Sequence, residues 1–134
     1  MKEFDELVVA LKLSRKKCPW AKVVIPEDHV ERLRDEVREL VEAMEQGPDE
    51  EIREELADVI WDALFIAIID EEQNKFTIHD MFKKATEKLK RRKPWVFGKE
   101  KVTTARQAVQ RWNEIKAHEK QAKKRKDSKV HQIK

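Results

Sequence analysis

Two pairs of acidic residues, Glu36 with Glu39 and Glu55 with Asp58, have a spacing from which chemistry can be built. Residues three apart on an α-helix differ by about 60° in direction, so each pair would share a face. Between them lies Gly47-Pro48, a connection short enough to make the flanking helices antiparallel neighbours. From the middle of that step Glu39 lies 8.5 residues back and Glu55 7.5 forward; Glu36 and Asp58 lie 11.5 back and 10.5 forward. A mismatch of one residue is about 1.5 Å of helix rise, so the four carboxylates can meet at one level. Such a cluster is costly without a counter-ion, because like charges about 4 Å apart repel by about 4 kcal/mol at an effective dielectric near 20. Asp58 sharpens the case, since it sits among Leu56, Val59 and Ile60, where an unpaired carboxylate is avoided. Oxygen-only ligands on rigid helices point to Mg²⁺ or Mn²⁺ rather than Zn²⁺. Glu36 or Glu39 alone would read as a solvated side chain in a chain that is 43% charged. The matched set does not.

Other chemistries lack their motifs. None of His29, His79, His118 and His131 follows a Glu by three residues, as a di-iron bundle would require. His-Glu-x-x-His and Cys-x-x-Cys are absent, and two glycines, Gly47 and Gly98, cannot build a phosphate-cradling loop. A phosphate ligand would therefore need a metal and long cations. Lys88 and Arg92 are four apart, as are Trp112 and Lys116, so each pair would present one helix face. Taken singly these have ordinary explanations: cations near a helix C-terminus favour its dipole, and a lone Trp is usually core.

The elements that must position these groups are helical. The 134 residues suit one compact domain or one subunit of a small oligomer. With two glycines and four prolines, little turn chemistry is available, and long helices with wet outer faces absorb the charge. The expected class is all-α. Apolar spacing predicts a first helix over residues 3–13 and an irregular connector over 14–26. A second helix is expected over 27–46, with Val30, Leu33, Val37, Leu40, Val41 and Met44 as its stripe. Asp49 is the expected N-cap of a third helix over 50–72, nearly all apolar from Leu56 to Ile69 and so suited to a bundle centre or a subunit interface. A fourth helix should open at Thr77 or Asp80 and end near Arg92, and a fifth should cover about 103–119.

Residues 1–120 are expected to form the domain, with 121–134 a basic, disordered tail. From Lys116 onward eight basic residues face two acidic ones, leaving the rest of the chain at −3 of the overall +3. That tail is either a solvated terminus or a contact for nucleic acid or another polyanion, the latter pointing to a helical nucleic-acid- or RNP-binding protein without catalysis. Cys18 is the only cysteine, so no internal disulfide can form. No run is apolar and long enough to span a membrane, and the N-terminus lacks a signal-peptide core, so a cytoplasmic location is expected.

Set together, these segments resemble the MazG-type nucleotide pyrophosphohydrolases. Glu36-x-x-Glu39 followed by Glu55-x-x-Asp58 looks like that family's signature, and Glu55-Leu56-Ala57-Asp58 is similar to its Glu-Leu-Gly-Asp run. Glu87-Lys88-Leu89-Lys90-Arg91-Arg92-Lys93-Pro94-Trp95-Val96-Phe97-Gly98, Trp112-Asn113-Glu114-Ile115-Lys116 with Glu119-Lys120, and Cys18-Pro19-Trp20 resemble further family segments. Departures are Ala21 for an expected Asp, Lys93 and Trp95 for two histidines, and Asp62 where Gln is common. The resemblance implies that they lie around the base and sugar contacts. The resemblance implies a four-helix-bundle-like fold with an additional C-terminal helix, a homodimer, and Mg²⁺ held by Glu36, Glu39, Glu55 and Asp58. It implies hydrolysis of a nucleoside triphosphate to monophosphate and pyrophosphate by water attack at the α-phosphorus. Lys88, Arg92 and Lys116 would meet the phosphates, and Trp112 and Trp20 would stack on the base.

Overall fold

The computed structural model describes residues 1–133; Lys134, counted above in the basic tail, lies outside them. Among the described residues there are six α-helices and no strand, in keeping with the all-α expectation. They are α1 (Lys2–Lys17), α2 (Pro26–Gln46), α3 (Asp49–Glu72), α4 (Ile78–Arg92), α5 (Pro94–Phe97) and α6 (Ala105–Ile133). The chain divides into two compact units, Met1–Asp80 and Met81–Lys134. The division falls near the start of α4, and residue 120 lies within α6.

In the first unit α2 and α3 form a hairpin along which they pack, and α1 lies against α3. The hairpin turns at Gly47, whose backbone is extended (φ −92°, ψ 161°) and not left-handed. Glycine is needed there for space: a Cβ would stand 2.9 Å from the Ala43 carbonyl oxygen and 2.7 Å from a Glu51 carboxylate oxygen. Pro48, not Asp49, is the N-cap of α3. Asp49 joins Glu50 and Glu51 in the first turn, where negative charge complements the helix dipole.

The connector is more ordered than expected. α1 continues to Lys17, and Ala21–Val23 form a 3₁₀ turn. Arg15 organises this stretch by donating to the carbonyls of Ala21 and Val24 and, through Nε, to Glu72 at 2.9 Å. Beneath it Ala21, Phe65 and Ile69 form a buried cluster, with Cys18 and Val24 packed against it.

The third helix is buried over only its second half. Leu64, Phe65, Ala67, Ile68 and Ile69 are buried, whereas Leu56, Ile60 and Trp61 are each more than 40% exposed. In the second unit α6 runs on through residue 133, in place of the disordered tail expected from composition. Lys, Arg, Gln and Ala are good helix formers, so a helix already under way at Ala105 need not stop where its apolar face ends. No helix among the described residues is long and apolar enough to cross a membrane.

Candidate functional site

The acids converge as their spacing requires. Glu36 and Glu39 on α2 and Glu55 on α3 each offer one carboxylate oxygen, and these three atoms lie within 4.8 Å of one another. Asp58 stands outside that set, yet its charge acts on both Glu36 and Glu55. The unpartnered oxygens of the group belong to Glu36 and Glu55. Both have a buried Oε2 with no hydrogen-bond partner. Burial, then Glu39, then Asp58 and Asp62 push the Glu36 carboxyl up to about 7. Glu55 is raised from its ordinary value by burial and by Glu39 and Asp58.

The donor set fits a hard divalent cation: only carboxylate oxygens, on two rigid helices, with two buried acceptors unanswered by any protein donor. Without a cation the nest opposes folding at high pH. Between the ordinary carboxylate range near 4.5 and about 7, folded Glu36 binds more protons than the unfolded chain does. Stability in EDTA is therefore expected to fall as pH rises from 5.5 to 8.5, and saturating Mg²⁺ should restore most of the loss. A melting temperature that climbs across this range in EDTA would contradict the nest. Glu71, Glu100 and Glu119, whose carboxyls are held low by backbone or arginine partners, act in a separate window, below about 4.5.

Trp20, half exposed on the connector, stands near parallel to Phe65 (13°, centroids 6.2 Å apart), and Arg32 lies 5.2 Å from the centre of its ring. Beside them is a feature that sequence reasoning missed: His29 and Asp62, each 2% exposed, joined by an Nε2–Oδ1 hydrogen bond of 3.0 Å. The signal was available. His29 is seven residues before Glu36 on α2, and Asp62 four after Asp58 on α3, so both extend the acid-bearing faces.

The cationic residues belong to the second unit. Arg92 sits 5.3 Å from the centre of the Trp112 ring and donates through Nε and Nη2 to Glu119 at 3.1 and 3.0 Å. Arg91 pairs with the other oxygen of Glu119. That carboxylate fixes two arginines, a role the sequence reading did not give it. Lys88 and Lys116 are exposed. Lys93, Trp95 and Trp112 line a cleft of about 410 Å³.

Residues 25–97 match the model of the MazG nucleotide pyrophosphohydrolase domain. The chain belongs to the MazG family. It is 37% identical over 90% of its length to a nucleoside triphosphate pyrophosphohydrolase/pyrophosphatase MazG of Thermotoga maritima. Over 92% of its length it is 26% identical to a nucleoside triphosphate pyrophosphohydrolase of Escherichia coli K12. It spans about half the length of these curated relatives, 47% and 48% respectively. The crystal structure of a mazG-related protein from Thermotoga maritima superposes with a TM-score of 0.74 at 31% identity, covering 84% of this chain and 98% of that one. The fold is thus the MazG-related one, and the four acids lie inside the matched segment.

Proposed function

We propose that this MazG chain is a Mg²⁺-dependent hydrolase that converts nucleoside triphosphates to the monophosphate and pyrophosphate, clearing the cytoplasmic nucleotide pool. The observation that carries the reading is the nest of Glu36, Glu39 and Glu55 with two buried, unanswered oxygens, in a chain of this family. Bound Mg²⁺ would offset carboxylate and phosphate charge and make a water more acidic; Mn²⁺ suits the same donors. Glu36, Glu39, Glu55 and Asp58 would hold the cation. A glutamate of the first pair takes the proton of the attacking water. Oxygen then bonds to the α-phosphorus and the bond to the β-phosphate oxygen breaks. Lys88, Arg92 and Lys116 neutralise the departing pyrophosphate, and Trp112 and Trp20 give the base flat surfaces on which to stack. The test is pyrophosphate release from a panel of ribo-, deoxy- and damaged triphosphates with Mg²⁺, against an EDTA control. No release from any member would refute the proposal.

A homodimer completes this reading. Val30, Val37, Val41 and Met44, spaced seven, four and three apart on α2, remain 40–60% exposed. No residue from 81 to 131 is buried. Helices with so little interior of their own gain by covering those faces with a second copy. Light scattering is expected to give twice the 16.0 kDa chain mass. A mass of one chain at assay concentration would refute it.

A further inference from the structure

We infer that the outer half of α6 is a docking surface for duplex DNA, meeting the phosphates on both sides of the major groove. The inference is independent of the hydrolase reading. Between residues 116 and 131 the helix carries six lysines and Arg125 against Glu119 and Asp127. Glu119 is already taken by Arg91 and Arg92. Among the described residues no carboxylate pairs with any of these seven cations, and all seven are exposed. Lys120 and Lys124 are four apart, as are Arg125 and Lys129, while Lys123 and Lys126 are three apart. Like charges therefore face each other along the helix and oppose it. A solvated terminus gains nothing by holding that arrangement in one helix. A polyanion laid along it removes the repulsion.

The cations form two rows. At about 100° per residue, Lys116, Lys120, Lys123 and Lys124 fall within one arc of about 100°, and Arg125, Lys126 and Lys129 within another on the opposite side. A helix about 10–12 Å across, with charge on each flank, matches the major groove of B-form DNA, which is about 12 Å wide and walled by both strands. Residues 116–129 rise about 20 Å, a length that faces about a dozen duplex phosphates. The deep, narrow major groove of A-form RNA does not admit side chains in this way. A membrane fits less well. Val130 is the only large apolar residue between 116 and 131, so the stretch has no apolar face to enter lipid. It also has no aromatic ring on which unpaired bases could stack. Contacts from Lys and Arg to phosphate carry no sequence information, so binding is expected to be indifferent to DNA sequence.

The experiment is fluorescence anisotropy of a labelled DNA duplex of about two helical turns, titrated with the full chain in EDTA. Between about 50 and 200 mM NaCl binding is expected to weaken by about 10³-fold, a slope of about −5 in log affinity against log salt. The set Lys123→Gln, Lys124→Gln, Arg125→Gln and Lys126→Gln keeps a good helix former at each position. It should weaken binding by at least about a hundredfold at the lower salt and flatten the slope by about 3 to 4. Its affinity for pyrophosphate in Mg²⁺ should match the parent's. The set Lys123→Arg, Lys124→Arg and Lys126→Arg keeps every charge and should bind DNA as the parent does. No duplex binding at the lower salt, a flat slope, or parental binding by the Gln set would overturn the inference. Loss of binding in the Arg set would overturn it too, since charge would then not be what binds. Equal affinity for duplex RNA, for single-stranded DNA or for phosphatidylserine vesicles would do the same, by giving the surface a different partner.

Discussion

Glu39→Gln, Glu55→Gln and Asp58→Asn are each expected to cut Mg²⁺-dependent pyrophosphate release by about 10²–10³-fold or more, the scale on which single electrostatic groups act in catalysis. Each change keeps the shape of the side chain and removes one negative charge from a nest whose purpose, on the present reading, is to hold a cation. The same variants should melt at a higher temperature than the parent in EDTA. Glu36 and Glu55 have carboxyls raised by burial and by their acidic neighbours, so every charge removed relieves the rest. Loss of activity with a gain in metal-free stability is the signature of a site maintained against the interest of the fold. A stapling role for these acids predicts the opposite stability change. Any one variant that keeps parental activity would refute its part in the site. The strongest single result against the proposal would be Glu55→Gln at full rate.

The second large effect concerns the floor beneath Trp20. Phe65→Ala should destabilise the chain by about 3–5 kcal/mol, the range for emptying a buried aromatic position. Phe65 is 4% exposed, joins Ala21 and Ile69 in the buried cluster, and carries both Trp20 and His29 against its ring. Domain stabilities of about 5–15 kcal/mol leave little reserve for such a loss. Urea unfolding should show the midpoint drop with an unchanged slope. Val9→Ala, at a residue 65% exposed on α1, is the control and should shift the midpoint by little. An unfolding free energy for Phe65→Ala within about 1 kcal/mol of the parent would mean that the cluster does not hold the connector.

How much of this could be read from residues alone depended on the range of each signal. The acid pairs were legible because both rules behind them are local: three-residue spacing, and a two-residue turn that sets the register. The nest followed from counting. Its finer electrostatics did not, since the unanswered oxygens belong to Glu36 and Glu55 and only three-dimensional packing decides which carboxylate is buried. His29 and Asp62 are 33 positions apart, so no local rule pairs them, although the faces they extend were already identified. The helix over 121–133 was not legible from composition: a run of lysines suggests solvation, while the backbone needs only helix-forming residues to continue. The division near residue 80 falls close to the start of a helix, where neither glycine nor proline marks it.

The two-residue link at Gly47 and Pro48 behaves as a setting with discrete stops. Surface turns ordinarily tolerate extra residues. Here one position added as a further helical residue at the start of α3 would turn the rest of that helix by about 100° relative to α2, carrying Glu55, Asp58 and Asp62 off the shared face together and bringing their apolar neighbours into their place. Ion nest and aromatic cleft would fail at the same step while each helix stayed intact, so the length of this loop is inherited by everything the hairpin does.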